Sequence, residues 1–173
     1  MIRRLLLPFL LFIAAVTALL PSSGGSIYFA AAGLWALIFA VLSPRALGDD
    51  ALPAFGVAAA LLLPTFVGML FGPAASQTAQ FVLLPAAAYL LSHINIRSRD
   101  IGAADMLPGL TALLANAFLG LSALVLYYID RVAGTSLVPS NEAFMLHISA
   151  ALIGVGAMYL LFTIHRRLAR RAA

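Results

Sequence analysis

Few side chains in this 173-residue chain can do acid–base, nucleophilic or metal chemistry, because only 9% of the residues are charged and none is cysteine. The densest polar run is SHINIRSRD, Ser92–Asp100, which combines one His, one Asn, two Arg and one Asp. Such a run either forms a reactive site or marks a place where the chain leaves an apolar environment. The positions of the other arginines decide between these two interpretations.

A serine hydrolase is the one enzyme class for which the sequence places the required residue types, a serine, a histidine and a carboxylate, at a similar predicted depth in the membrane. Ser122 lies in the motif GLSA near the end of one apolar run, and His147 lies near the start of the next. Asp130 and Glu142 lie between them, so a serine, a base and a carboxylate are all present. However, Ala123 stands where intramembrane rhomboid proteases carry a second glycine, and Ser122 and His147 are closer in sequence than in those enzymes. We predict that the chain is not an enzyme and keep the hydrolase as a distant third alternative.

Metal binding is not predicted. The three histidines are His93, His147 and His165. The last two share a helical face, but a rise of 1.5 Å per residue puts them about 27 Å apart. The absence of cysteine also excludes disulfides and thiolate sites. The sequence therefore predicts neither a metal nor a cofactor.

Composition places the chain in a membrane. Hydrophobic residues make up 64% of it, and the mean hydropathy is +1.07. A soluble domain carries about 25% charged residues, far more than this chain has. The net charge of +4 could suggest nucleic acid, but the arginines lie at the ends of apolar runs, where lipid headgroups explain them better. The predicted partners are the lipid bilayer and other integral membrane proteins, with a small solute as an alternative and no nucleic acid.

Six apolar runs are candidate membrane spans, since crossing the hydrocarbon takes roughly 20 helical residues. The first two runs are short and the other four are adequate. Breaker-rich turns separate them, including SPRALGDD at Ser43–Asp50 and GPAASQT at Gly72–Thr78. The predicted fold is an all-α membrane protein with a single domain, 1–173, and six transmembrane helices in three hairpins: Leu5–Leu20, Ile27–Leu42, Leu52–Phe71, Ala79–Asn95, Leu107–Ile129 and Ala143–His165.

The arginines orient these spans. Placing the N-terminus inside puts every arginine except Arg131 on the cytoplasmic side, which agrees with the positive-inside rule. We therefore interpret Ser92–Asp100 as the second cytoplasmic loop, and we predict a multi-pass protein of the bacterial inner membrane with both termini cytoplasmic. The predicted cytoplasmic anchors are Arg3, Arg4, Arg45, Arg97, Arg99, Arg166, Arg167, Arg170 and Arg171.

Two alternatives in this layout stay open. The first span has the charged start and apolar centre of a signal peptide, with a candidate cleavage site at Val16–Ala18. We favour its retention, because an even number of spans gives the simplest set of hairpins. In addition, ALLLPTFVG at Ala60–Gly68 aligns with ALLANAFLG at Ala112–Gly120. The third and fourth spans could therefore be a repeat of the fifth and sixth.

Several unusual residues share the predicted middle of the bilayer. Pro64 and Pro85 lie at the same distance from the Gly72–Thr78 turn, so both would kink their helices near mid-depth. Asn116 and Trp35 lie at a similar level. Kinked helices beside an amide and an indole could form a binding site at the midplane. The candidate ligand-binding residues are Trp35, Pro64, Thr65, Pro85 and Asn116.

Small residues predict where helices pack, because they let backbones approach each other in lipid. Where small residues recur at steps of three and four along a predicted span, helix packing is the favoured interpretation. Asp49 and Asp50 are expected to cap the third span, with Pro53 in its first turn. The predicted packing glycines are Gly68, Gly72, Gly109, Gly120 and Gly154.

The layout resembles MreD, a six-span inner-membrane protein of the bacterial cell-wall elongation complex, and it is also similar to the six-span substrate-binding components of energy-coupling-factor transporters. The local match to MreD is GMLFGPAASQTAQFVLL, Gly68–Leu84, in which Gly72 is kept and the acidic residue typical of MreD is missing. The resemblance implies a non-catalytic subunit that scaffolds a membrane complex related to cell shape. The alternative is a small-solute binding or transport protein that uses the mid-depth residues.

Overall fold

The computed structural model describes residues 2–19, 27–100, 106–134 and 140–172. These residues form helices and contain no strand. The all-α prediction is thus confirmed for the described part of the chain. The helices are α1 (Ile2–Leu19), α2 (Ile27–Leu42), α3 (Pro44–Asp49), α4 (Ala51–Phe71), α5 (Pro73–Ser98), α6 (Leu107–Ala133) and α7 (Asn141–Ala172).

Four of these helices, α4 to α7, are long and apolar enough to cross a membrane. The shortest of them, α4, has 21 residues, which at 1.5 Å per residue gives about 30 Å, the thickness of a bilayer's hydrocarbon core. The other two apolar helices, α1 and α2, are shorter. These helices are compatible with a helical membrane protein.

Helix α5 is the central element. It packs most extensively on α4 and also contacts α2, α6 and α7. One core lies among α1, α2, α3 and α4, where Leu11, Phe29 and Leu61 are buried, and it extends to one side of α5. A second, smaller core joins Tyr89 of α5 to Ala115 of α6 and Val155 of α7. The two cores share α5, so residues on this helix connect both halves of the protein.

The segment Ser43–Asp50 is not the simple turn that we predicted, because it contains the short helix α3. Pro44 takes the first helical position, where a missing N–H costs nothing. Leu47 is fully buried in the first core. Burial of this one side chain explains why the segment folds against the bundle.

The connection between α4 and α5 is also shorter than predicted. Helix α5 begins at Pro73 and not at Ala79, and only Gly72 separates it from α4. Gly72 has φ +90°, a backbone conformation that other residues rarely adopt. The polar residues Ser76 and Gln80 are buried in this first part of α5, so their polarity does not mark a loop.

The remaining helix ends differ modestly from the prediction. Helix α6 continues to Ala133 and ends at Gly134, whose φ of +63° allows its N–H to donate to the Asp130 carbonyl. Helix α7 extends from Asn141 to Ala172, beyond the predicted span. Pro64 and Pro85 are both buried inside continuous helices. The kinks expected at these prolines stay predictions.

Candidate functional site: the mid-depth cavities and the polar end of helix α5

Trp35 lines a narrow apolar cavity between α2, α4, α5 and α6. Its indole packs edge-on against Phe118, with ring centroids 4.7 Å apart. The cavity has a volume of about 20 Å³. A single water needs roughly 10–15 Å³ by this measure, so the space is sufficient for little more than one water.

Asn116 lines a second cavity, of about 60 Å³, between α2, α5, α6 and α7. Its side-chain oxygen, Oδ1, is buried and has no hydrogen-bond partner among the described residues. Tyr28 and Leu119 line both cavities. The structure therefore places Trp35 and Asn116 in adjoining cavities, and their joint role in a binding site stays a prediction.

The other residues of the predicted mid-depth site lie elsewhere. Pro85 contacts Gly154 of α7 so closely that no side chain would fit at Gly154. Pro64 and Thr65 line neither cavity. The hydroxyl oxygen of Thr65 is nevertheless buried without a hydrogen-bond partner among the described residues. A common depth thus did not bring all five predicted residues to one place.

The residues of the hydrolase alternative are only partly described. Ser122 lines the Trp35 cavity. The side chain of His147 lies outside the described residues. In the described ranges, no group of three or more His, Asp or Glu side chains could hold a metal ion.

The second candidate region is the polar end of α5, which we define as Tyr89, Ser92, His93 and Arg97. We predicted that the span ends at Asn95 and that Ser92–Asp100 forms a cytoplasmic loop. The helix instead continues through Ser98 and only the last two residues form a turn, so the conformation differs from a loop, while the cytoplasmic location stays a prediction. Ser92 and His93 are buried. The helix persists here because these side chains face neighbouring helices and not water.

Asp50 and Arg97 tie the start of α4 to the polar end of α5. The Arg97 Nε group lies 3.2 Å from the Asp50 Oδ1 atom. Asp50 is at the N-cap position of α4, but its side chain makes no capping hydrogen bond. The prediction that Asp50 caps the third span was therefore wrong, because its carboxylate pairs with an arginine instead.

Two aromatic contacts join the polar end of α5 to α7. The rings of Tyr89 and His93 lie 5.7 Å and 4.9 Å from the ring of Phe162. The Tyr89 hydroxyl, the Ser92 hydroxyl and the His93 Nδ1 atom are buried without hydrogen-bond partners among the described residues. Spacings of three and four residues place these groups on one face of α5, which is the signal that sequence analysis missed.

Close packing at glycines is found at some predicted positions and not at others. A Cβ atom at Gly68 would lie 2.9 Å from the Ser76 Cβ atom, and one at Gly154 would meet Pro85. At Gly72, Gly109 and Gly120, an added Cβ would meet no described atom within 4 Å. These three glycines therefore face open space within the described part of the chain, and Gly72 is needed for its backbone conformation instead.

Sequence analysis also missed two close helix contacts. An added Cβ at Gly33 would lie 3.0 Å from the Ala15 carbonyl oxygen, and one at Gly56 would lie 2.7 Å from Leu90 Cδ1. Gly33 thus allows α2 to approach α1, and Gly56 allows α4 to approach α5. Both glycines lie in predicted spans, and only the helix rotation distinguishes them from the other glycines.

The predicted arginine anchors have several environments. Arg45 and Arg97 line an open polar groove with Asp49 and Asp50. Arg99 is exposed at the end of α5. Arg166 and Arg167 line a different groove on α7. The structure describes the helical backbone but not the side chains of Arg3, Arg4, Arg170 and Arg171.

No protein-family model, no curated protein and no solved structure matches this chain.

Proposed function

We propose that the chain is a six-span protein of the bacterial inner membrane with both termini in the cytoplasm. The short helices α1 and α2 would then span the bilayer together with α4 to α7. The Asp50–Arg97 ion pair supports this topology, because it places the start of α4 and the end of α5 at one level. The ring of His93 packs against Phe162 of α7, with centroids 4.9 Å apart, so the last part of α7 lies near the same level. These groups would form the cytoplasmic boundary of the protein.

We further propose that this protein is a non-catalytic membrane subunit that associates with other membrane helices through α6 and α7. Within the chain, 61% of the apolar stretch of α5 is buried, compared with 22% for α6 and 12% for α7. The observation that supports this most directly is Gly156 of α7, which is exposed and where an added Cβ would meet no described atom within 4 Å apart from the neighbouring backbone of its own helix. Glycine costs about 1 kcal/mol relative to alanine inside a helix, and no contact within the described chain explains it here.

A partner helix would explain this glycine. In lipid, small residues allow backbones to approach closely and to gain van der Waals contacts. Gly120 of α6 is likewise exposed with open space beside it. The similarity of the layout to MreD suggests the kind of complex: one that acts in cell-wall elongation and cell shape.

The test is affinity purification in a mild detergent followed by native mass spectrometry. We expect a stoichiometric membrane protein to be recovered with the chain. Gly156→Leu should reduce that recovery at least fivefold, because the larger side chain keeps the partner helix away. Val82→Phe, which adds bulk at an exposed apolar position of α5, is the matched control and should have no effect. A chain that purifies alone, or equal losses in both variants, would contradict the proposal.

One observation favours a second candidate function, the binding of a small solute. The Asn116 amide oxygen lines the 60 Å³ cavity and has no partner among the described residues. This volume limits a ligand to a few heavy atoms. Combining Asn116→Ala with Trp35→Phe should abolish binding of such a solute but leave partner recovery unchanged. A small-molecule adduct that is lost in this double variant would favour the solute function over the subunit function.

A further inference from the structure

An open groove of about 290 Å³ lies between the start of α6 and the last third of α7. It is several times larger than the two mid-depth cavities, and its walls are more polar. None of the described residues that line it is acidic. The residues that line it include Pro108, Gly109, Tyr159, Thr163, Arg166 and Arg167.

The α7 side of the groove supplies positive charge and hydroxyl groups. Arg166 and Arg167 are consecutive, and Thr163 and Tyr159 lie one and two turns before them on the helix. The Thr163 hydroxyl oxygen is buried and has no hydrogen-bond partner among the described residues. A guanidinium group donates several N–H bonds in a planar arrangement that matches phosphate oxygens.

Tyr89 of α5 lies close to this wall of the groove. Its side chain is fully buried, and its hydroxyl has no hydrogen-bond partner among the described residues. Its ring packs against Phe162 of α7, with centroids 5.7 Å apart, and Phe162 directly precedes Thr163, which lines the groove. A buried hydroxyl of this kind is costly unless it is paired. A polar ligand in the groove would provide that pairing directly or through water.

The α6 side of the groove adds a helix N-terminus. Helix α6 begins at Leu107, and the side chain at its N-cap position, Met106, makes no capping hydrogen bond. The positive end of a helix dipole and its first N–H groups attract anions. Gly109 leaves this end open, since a Cβ added there would meet no described atom within 4 Å.

We propose that this groove binds the phosphate group of an anionic phospholipid. Arg166 and Arg167 would neutralise the phosphate, while the Thr163 hydroxyl would donate a hydrogen bond to it. The acyl chains would lie along the neighbouring exposed residues Leu160 and Ile164 of α7. This role does not depend on a protein partner, so it goes beyond the proposed subunit function.

The test uses the full-length chain in detergent and counts bound lipids by native mass spectrometry. Phosphatidylglycerol is titrated as the anionic probe, and zwitterionic phosphatidylcholine is the comparison. We expect at least one phosphatidylglycerol to bind about tenfold more tightly than phosphatidylcholine. Arg166→Gln and Arg167→Gln should each weaken that binding at least fivefold. Arg99→Gln removes an exposed arginine from the end of α5 and is the charge-matched control, with an expected change of less than twofold.

A further variant separates the groove from general electrostatics. Thr163→Val keeps the shape and the net charge, and we expect it to weaken phosphatidylglycerol binding about threefold while thermal unfolding is unchanged. Equal losses in the Arg99, Arg166 and Arg167 variants would show nonspecific attraction and overturn the proposal. The last experiment adds inorganic phosphate at millimolar concentration as a competitor of the bound lipid. If it displaces the lipid, and the displacement is lost in Arg166→Gln, the groove is a site for soluble phosphate and not for a lipid headgroup.

Discussion

Asp50 and Arg97 form an ion pair in which the carboxylate is buried and the guanidinium is largely exposed, with side-chain exposures of 9% and 63%. This asymmetry matters because the two residues depend on the pair to different degrees. An exposed arginine that loses its partner returns to water at little cost. A buried carboxylate that loses its partner keeps the cost of its desolvation.

The two single variants of this pair should therefore differ in stability. We expect Arg97→Gln to lower the free energy of unfolding by about 1–3 kcal/mol, and Asp50→Asn to lower it by less than about 1 kcal/mol. The double variant should resemble Asp50→Asn alone, because it contains no unpaired carboxylate. Thermal unfolding in detergent micelles measures all three. Equal and additive losses would show that the pair has no coupling energy.

Gly154 should tolerate no side chain, whereas Gly156 on the same helix should tolerate alanine. A methyl group at Gly154 would overlap the Pro85 ring, so Gly154→Ala must separate α5 from α7. We expect a loss of about 1–3 kcal/mol in the free energy of unfolding, as in other overpacked cores. Gly156→Ala is the control and should be neutral or slightly stabilising, because alanine has the higher helix propensity. Similar melting temperatures for both variants would contradict this contact.

Ser92 should be replaceable by alanine without loss of stability. Its hydroxyl is buried and has no hydrogen-bond partner among the described residues, so removing it removes a desolvation cost and breaks no bond. We expect a change within about 0.5 kcal/mol, or a small gain. Thr111→Val is the comparison, since the Thr111 hydroxyl donates to the Leu107 carbonyl at 2.7 Å and its loss should cost about 1 kcal/mol. A clear destabilisation by Ser92→Ala would instead reveal a bound water or ligand at that hydroxyl.

Hydropathy located most helices but not all of their ends. The predicted bounds of α2 match the structure, and those of α4 differ by one residue at its start. The first turns of α5 were missed because Ser76 and Gln80 are polar, although they are buried. Hydropathy measures the preference for an apolar solvent, and it does not register polar side chains that are covered by neighbouring helices.

The candidate sites show a similar division. Distance along the chain predicted that Trp35 and Asn116 lie at one level, and they line adjoining cavities. It did not predict that Pro85 packs on Gly154, or that Pro64 and Thr65 lie away from both cavities. Depth follows from helical rise, but the direction of a side chain depends on how each helix is rotated against its neighbours. One sequence does not specify that rotation.

The one-residue connection at Gly72 has a consequence for how the protein is made. In the proposed six-span topology, only Gly72 connects α4 to α5, so there would be almost no connecting chain to transfer across the bilayer between them. We therefore expect the two helices to leave the insertion machinery together, as a preformed hairpin. Residues that are polar but covered within that hairpin, such as Ser76 and Gln80, would then never meet lipid during biogenesis.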